Sequence, residues 1–364
     1  MSAPAFKQAR ISDDLTLAYV DSWHARAKED LPERYKTVVG LHGVGFNSAV
    51  WTPLLPALPS SIRFLAYNQR SYAQSSPAFN AKQPGGTDAT ATYLCDLMEF
   101  LRFAVEELGV QGMDEQTHEG GIVLLGWSKG TVLCFSLLSL IHLASSPSPT
   151  SFLTHLPTSG LPHTSLLRTH IRSLILFEPP GSALGRPPTS DYTTAMKAVS
   201  PPNSSTPTEF AEAFAGWIGM YAHSADPDEV AEELLPPSGL DALAPSLRQV
   251  AWEPACVAHG FSWRLAEGAE EVQRLAESAL KPTGGVALPV GLIYGTRTNG
   301  YCLDAAKTVE GWWGLSAGAE EDRKERAKRK TAVRKVPGTN HFAFIHEPEA
   351  FANAVVELVD ELSL

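Results

Sequence analysis

Apolar and polar positions along this chain follow two periods. Residues 37–41, 64–67, 122–125, 171–177 and 288–295 are short, nearly unbroken apolar runs rich in β-branched side chains. Such runs predict strands buried on both faces. A last short strand is expected at 331–336. Near the start, Leu15, Leu17 and Tyr19 alternate with polar residues, which predicts an antiparallel hairpin at a sheet edge over 7–22. Helical spacing dominates in between. Leu94, Leu97, Met98, Leu101, Val105 and Leu108 recur at three- and four-residue intervals, and Gly109 supplies a stop. Further helices are expected over 131–143, 302–313 and 348–362, with a short one over 49–58 broken by prolines. From 182 to about 281 no strand is evident. Two helical stretches there, about 207–235 and 240–280, carry Phe210, Phe214, Trp217, Tyr221, Trp252, Phe261 and Trp263. Residues 144–169 are rich in Ser, Pro, Thr and His and read as a surface insertion within the core. Strands alternating with helices predict an α/β fold, with a mostly parallel sheet covered on both faces.

Composition narrows the class. Of the 364 residues, 44% are hydrophobic and 19% charged, enough for a substantial core. The net charge of −11 argues against a nucleic-acid partner. The one basic cluster, 323–330, directly follows Glu320-Glu321-Asp322 and reads as a solvated segment. Cys95, Cys134, Cys256 and Cys302 are far apart and form no Cys-x-x-Cys pair, which predicts free thiols. No apolar leader opens the chain, and the longest apolar stretch, 131–144, is too short to span a membrane. The expectation is a cytoplasmic protein. No metal-ligand spacing and no dinucleotide fingerprint appear, so neither a metal nor a cofactor is expected.

The chemistry gathers around Gly126-Trp127-Ser128-Lys129-Gly130. A predicted strand runs into this Gly-x-Ser-x-Gly and a predicted helix follows, so the chain must turn sharply and present the Ser128 hydroxyl at the tip. In open α/β sheets, ligands bind beyond the carboxyl ends of the strands. Ser128, Glu178, His341 and the loop at His42 each lie just past such an end, so one sheet edge can gather all four.

This ordered set resembles the α/β-hydrolase superfamily. The residues that carry the likeness are His42-Gly43, Arg70-Ser71-Tyr72-Ala73-Gln74-Ser75, the serine turn and His341. The second element is similar to the family's Arg-Gly-x-Gly-x-Ser turn with both glycines replaced. The resemblance covers about the whole chain. It implies a core over 1–181 and 286–364, and a helical cap over 182–285 inserted after the sixth core strand. Residues 177–185 look like fungal hydrolases of polyketide or toxin metabolism, lactonases among them.

A serine hydroxyl needs a base within hydrogen-bond reach, and the base needs an orienting acid. The family order, serine then acid then histidine, points to His341 as base, with His346 as the second candidate. The family's usual acid position, Gly-x-x-Asp after a late strand, reads Gly295-Thr296-Arg297-Thr298-Asn299 and has no carboxylate. Some family members keep their acid at the end of the preceding strand, where Glu178 stands, so the resemblance implies Glu178 as the acid, with Asp304 the alternative. The resemblance places the oxyanion donors on the backbone N–H groups of Val44 and Lys129. The Lys129 side chain is expected to point to solvent, Trp127 to pack beside the turn, and His42 to serve structure. Trp51, Trp217, Tyr221, Trp252 and Trp263 are candidates for the wall of an apolar pocket.

The implied function is hydrolysis of a carboxylic ester or lactone of a bulky hydrophobic substrate, such as a polyketide or mycotoxin lactone, through an acyl-enzyme on Ser128. A carbon–carbon bond hydrolase or cofactor-free polyketide-tailoring enzyme, and a non-catalytic small-ligand receptor, are the alternatives. Epoxide hydrolases and haloalkane dehalogenases need an aspartate where Ser128 stands.

Overall fold

The computed structural model describes residues 5–24, 32–76, 87–114, 116–143, 164–187, 206–219, 221–222, 234–235, 243–257, 260, 269–281, 288–315 and 329–363. Eight strands form one sheet in the order β1-β2-β4-β3-β5-β6-β9-β10. They are β1 (Lys7–Arg10), β2 (Thr16–Asp21), β3 (Lys36–Leu41), β4 (Ile62–Tyr67), β5 (Ile122–Trp127), β6 (Ile171–Phe177), β9 (Val290–Gly295) and β10 (Thr331–Val336). From β4 to β10 all neighbours are parallel. The hairpin β1–β2 joins β4 antiparallel at one edge, as the alternation over 7–22 predicts. The central strands are buried along their whole length, and the edge strands β1 and β10 are not. That difference is why the central strands read as unbroken apolar runs.

Side chains alternate between two cores. Val39, Leu65, Leu124, Leu174 and Leu292 face helices Thr87–Glu106, Gly130–Leu143 and Gly300–Trp312. Val38, Phe64, Val123, Ile175 and Ile293 face the 3-10 turn Ser48–Trp51 and helix Pro348–Glu361. Helices thus cover both faces of the sheet. This places the ends of β3, β5, β6, β9 and β10 together along one carboxyl edge.

Several expectations change. Residues 49–58 form two 3-10 turns, Ser48–Trp51 and Leu55–Ala57, because prolines at 53, 56 and 59 prevent a longer helix. Of the expected insertion, 144–163 lies outside the described residues, and Thr164–His170 is a helix that leads into β6. The first α-helix within 182–285 among the described residues is Pro207–Ile218. It starts in a capping box between Thr206 and Glu209 and stops at Gly219. A two-residue antiparallel pair, β7 (Tyr221–Ala222) with β8 (Leu234–Leu235), appears where no strand was expected. Helix Ala269–Leu280, expected in the cap, packs against Gly130–Leu143 and puts Ala276, Ala279 and Leu280 into the core on that face of the sheet.

Candidate active site

Ser128 follows β5 directly and has a φ of 54°, in the left-handed region. That conformation costs a non-glycine residue about 1–2 kcal/mol and marks a turn held by its surroundings. Two glycines make the turn possible. A Cβ on Gly126 would lie 2.8 Å from Cys134 Sγ and 2.9 Å from the Gly130 carbonyl oxygen. A Cβ on Gly130 would lie 2.3 Å from the Leu41 carbonyl oxygen. No larger residue fits where strand and helix approach so closely. The Ser128 N–H still bonds to the Phe177 carbonyl at 2.9 Å, so the turn remains tied to β6.

Glu178 repeats the device one strand over. It follows β6 with a φ of 46°, and its N–H bonds to the Ile293 carbonyl at 3.1 Å. Its carboxylate is fully buried and accepts three bonds. Oε1 takes the Gly295 N–H at 2.8 Å, and Oε2 takes the Thr298 hydroxyl at 2.5 Å and His341 Nδ1 at 2.7 Å. These donors compensate the burial of the charge. A carboxylate only accepts, so Nδ1 carries the imidazole proton and Nε2 presents its lone pair. The Trp127 indole N–H donates to the His341 carbonyl at 3.0 Å and fixes the backbone behind the ring. His341 Nε2 is buried and, among the described residues, has no hydrogen-bond partner, the Ser128 hydroxyl included. Such contacts are often long in unliganded hydrolases and tighten with substrate.

The alternatives fall elsewhere. Asp304 is half-exposed on helix Gly300–Trp312 and pairs with Arg186 at 2.8 Å. It makes no bond to His341. His346 ends the short helix Ala343–His346, and Glu178 bonds to His341 rather than to it. The Gly-x-x-Asp position is occupied by Thr298, and its hydroxyl serves the Glu178 carboxylate from there. Sequence reasoning missed Thr298 as a site residue, although the vacancy after Gly295 located it.

The loop after β3 lies against the serine. A Cβ on Gly43 would sit 3.1 Å from Ser128 Cβ. Among the described residues the Val44 N–H has no acceptor. His42 is structural, as expected. Its Nε2 accepts the Gln69 N–H at 3.1 Å, which fixes the proton on Nδ1, facing the Gly43 carbonyl at 3.0 Å. Burial, with a smaller contribution from the Lys129 ammonium, pushes its pKa down to about 4, so the ring is neutral. The turn after β4 keeps its shape without glycine. Ser71 has a φ of 75° and Gln74 of 61°, and Arg70 holds Asp96 through two bonds of 2.7 and 2.5 Å.

Lys129 corrects an expectation. Its side chain is buried and its ammonium donates to the Gly260 carbonyl, so it does not point to solvent. The aromatic candidates separate as well. Trp51 is fully buried, against Phe64, Trp127 and Phe344, and belongs to the core beneath the site. Trp217 is buried beside Phe214 and Tyr301, and Trp252 packs on Phe46. Tyr221 lies in β7, and Trp263 lies outside the described residues.

The fold also brings together ligand-type atoms that sequence spacing did not flag. Glu178, Cys302 and His341 offer such atoms within 4.8 Å of one another. However, Nδ1 and Oε2 are 2.7 Å apart, a shared-proton distance. Two tetrahedral zinc ligands at about 2.0–2.1 Å would stand about 3.3 Å apart. As arranged, the trio is a hydrogen-bonded pair with a thiol neighbour, Cys302 Sγ lying 3.6 Å from Nδ1. All four cysteines are free thiols. Among the described residues no helix is long and apolar enough to cross a membrane.

Sheet order, covered faces and a serine turn at the carboxyl edge define the α/β-hydrolase fold, and comparison with solved structures agrees. A hydrolase from Pseudomonas aeruginosa PA01 superposes with a TM-score of 0.54 at 17% identity, over 98% of this chain and 99% of that one. Esterase RhEst1 from Rhodococcus sp. ECU1013 gives 0.52 at 18%, over 98% and 99%. A loop variant of haloalkane dehalogenase DbeA from Bradyrhizobium elkanii gives 0.52 at 14%, over 98% and 97%. No family model matches the chain, and no curated protein matches it in sequence. At these identities the likeness is one of fold, and the chemistry has to be read from the residues.

Proposed function

We propose that this protein is a serine hydrolase that cleaves a carboxylic ester or lactone through an acyl-enzyme on Ser128. The observation that carries the reading is the buried 2.7 Å bond between His341 Nδ1 and Glu178 Oε2, one strand away from a serine in a left-handed turn. In this reading His341 Nε2 takes the Ser128 proton as Oγ attacks the carbonyl carbon. The N–H groups of Val44 and Lys129 receive the developing oxyanion. The carbon–oxygen bond of the leaving group breaks, and His341 returns the proton to the departing alcohol. Water then attacks the acyl-enzyme by the same route and frees Ser128. Glu178 holds the imidazole in the required tautomer and stabilises the imidazolium. Esterases among the structural neighbours support the ester assignment.

The finer assignment is a bulky hydrophobic substrate, a polyketide-type lactone among them, held in a cytoplasmic enzyme without a cofactor. Its support is the aromatic content of the cap, where Trp217 and Trp252 stand, and the likeness of residues 177–185 to toxin-metabolising hydrolases. The test is turnover of aryl esters of rising chain length and a resorcylic macrolactone by wild type and Ser128→Ala. Ser128-dependent acid release with a preference for large acyl groups is the expected result. Cleavage of a carbon–carbon bond, or binding without turnover, would replace the ester assignment.

A further inference from the structure

The loop that carries Val44 is gripped from the cap side. The Asn47 N–H donates to the Ala251 carbonyl at 3.0 Å, and the Glu253 N–H donates to the Gly45 carbonyl at 2.7 Å. Phe46 and Trp252 form an isolated antiparallel bridge, with ring centroids 4.8 Å apart. Gly45 has a φ of 76°, and a Cβ there would come within 2.5 Å of the Trp252 ring and 2.7 Å of Val257. The indole therefore closes directly onto the loop just after Val44, at Gly45 and Phe46.

One side chain unites these contacts. The Glu253 carboxylate accepts from Asn47 Nδ2 at 2.7 Å and from the Ala73 N–H at 2.9 and 3.0 Å, with Cys256 Sγ at 3.9 Å. Ala73 belongs to the left-handed turn after β4, and its neighbour Tyr72 accepts the Gly45 N–H at 3.3 Å. Asn47 also donates to the Val250 carbonyl at 2.7 Å, and its Oδ1 caps the following 3-10 turn through the Ala49 N–H at 2.9 Å. Three segments remote in sequence thus meet on one carboxylate. Among the described residues it has no cationic partner, so the charge serves neutral donors alone. Charge-assisted bonds to neutral donors are short and roughly twice as strong as neutral ones, which suits a clamp that sets backbone position.

We propose that Glu253 is the positioning residue for the Val44 donor: a cap carboxylate that locks the loop in the place a tetrahedral oxyanion requires. The proposal rests on the serine-hydrolase reading. It implies that the cap does more than cover the site, because one element of the cap completes the geometry of a core loop.

Glu253→Gln keeps the size of the side chain and turns one acceptor into a donor that faces Ala73 N–H or Asn47. An oxyanion donor acts in the transition state, so kcat on an aryl ester should fall about 10–100-fold with KM within about threefold. Asn47→Asp keeps the cap on Ala49 but sets a carboxylate against Glu253, and it should fall at least as far. The double variant Asn47→Asp with Glu253→Gln exchanges amide and carboxylate, restores the bond between the two side chains but not the one to the Val250 carbonyl, and should recover about tenfold over Asn47→Asp alone. Backbone hydrogen exchange over residues 43–47 needs no substrate. It should quicken about tenfold in each single variant and slow again in the double.

If Glu253→Gln does not fold, Glu253→Asp, which retracts the carboxylate by one methylene, should show the same loss confined to kcat. A loss confined to KM, or unchanged kcat with unchanged exchange, overturns the proposal. Phosphonate labelling of wild-type Ser128 keeps the two readings apart. Absence of labelling defeats the hydrolase reading, and the exchange data then decide the clamp alone.

Discussion

The carboxyl edge of the sheet and the segment around 250–257 hold polar groups in different ways. At the sheet edge, Ser128 and Glu178 sit in left-handed turns one residue past neighbouring strands, each tied through its own N–H to the next strand. Position there comes from backbone hydrogen bonds of the buried central strands. Among the described residues, 250–257 and Gly260 lie outside the eight-stranded sheet. Two backbone bonds tie 251–253 to the loop after β3, and side chains supply the rest: Asn47 and Glu253 across that loop, and the Lys129 ammonium on the Gly260 carbonyl. The sheet edge is set by the backbone ladder of the core, whereas the segment 250–257 is placed by a few polar contacts that single substitutions can remove. A reaction that uses both regions is accordingly exposed to mutation far from the serine.

The predictions set these regions against each other. Ser128→Ala should lower ester turnover about 10⁶-fold, leaving the fold intact by circular dichroism, since the left-handed turn does not depend on the hydroxyl. Glu178→Gln should cost about 10⁴ in kcat, while Asp304→Asn, which loses only a half-exposed pair with Arg186, should stay within about threefold. Parity of these two variants in a kinetic assay would move the acid to Asp304 and break the account of the sheet edge. A third prediction concerns His42 and stability. Its pKa is depressed to about 4 by burial, so the folded state resists protonation that the unfolded chain accepts near 6.5. Stability from this group is present above pH 6.5 and is lost as the pH falls from 6.5 to about 4. At 1.36 kcal/mol per unit that is about 3 kcal/mol. Urea unfolding of wild type and His42→Gln over this range should show wild type losing that much more. The smallest effect is at Ser71. Glycine would relieve the left-handed strain but loosen the unfolded chain, so Ser71→Gly should stabilise by about 0.5 kcal/mol, read as a urea midpoint shift.

The same contrast explains how much of the molecule was legible in its residues. The strands announced themselves because burial on both faces demands apolar runs, and Gly126 and Gly130 marked the turn because only glycine fits there. Glu178 drew attention because it ends a strand where some members of the resembled family keep their acid, while the Gly295 segment lacks a carboxylate; in the fold it bonds to His341. The cap was less readable. The burial of Lys129 depends on a carbonyl 131 residues away, and no local pattern encodes it. Trp51 looked like a pocket wall because it follows the His42 loop, but Phe64 and Phe344, brought in from other elements, enclose it. The apolar spacing of 269–280 is that of any amphipathic helix, so it could not say whether the partner was the cap or helix Gly130–Leu143.

The central claim is that Ser128, His341 and Glu178 act as one acyl-transfer site. The most direct measurement is peptide-mapped mass spectrometry after exposure to an aryl phosphonate. The account predicts a single adduct on Ser128, absent from Ser128→Ala and formed at least about 10³-fold more slowly by His341→Gln and Glu178→Gln. An unlabelled wild type that is fully folded, or an adduct that forms at the wild-type rate without His341, would contradict it.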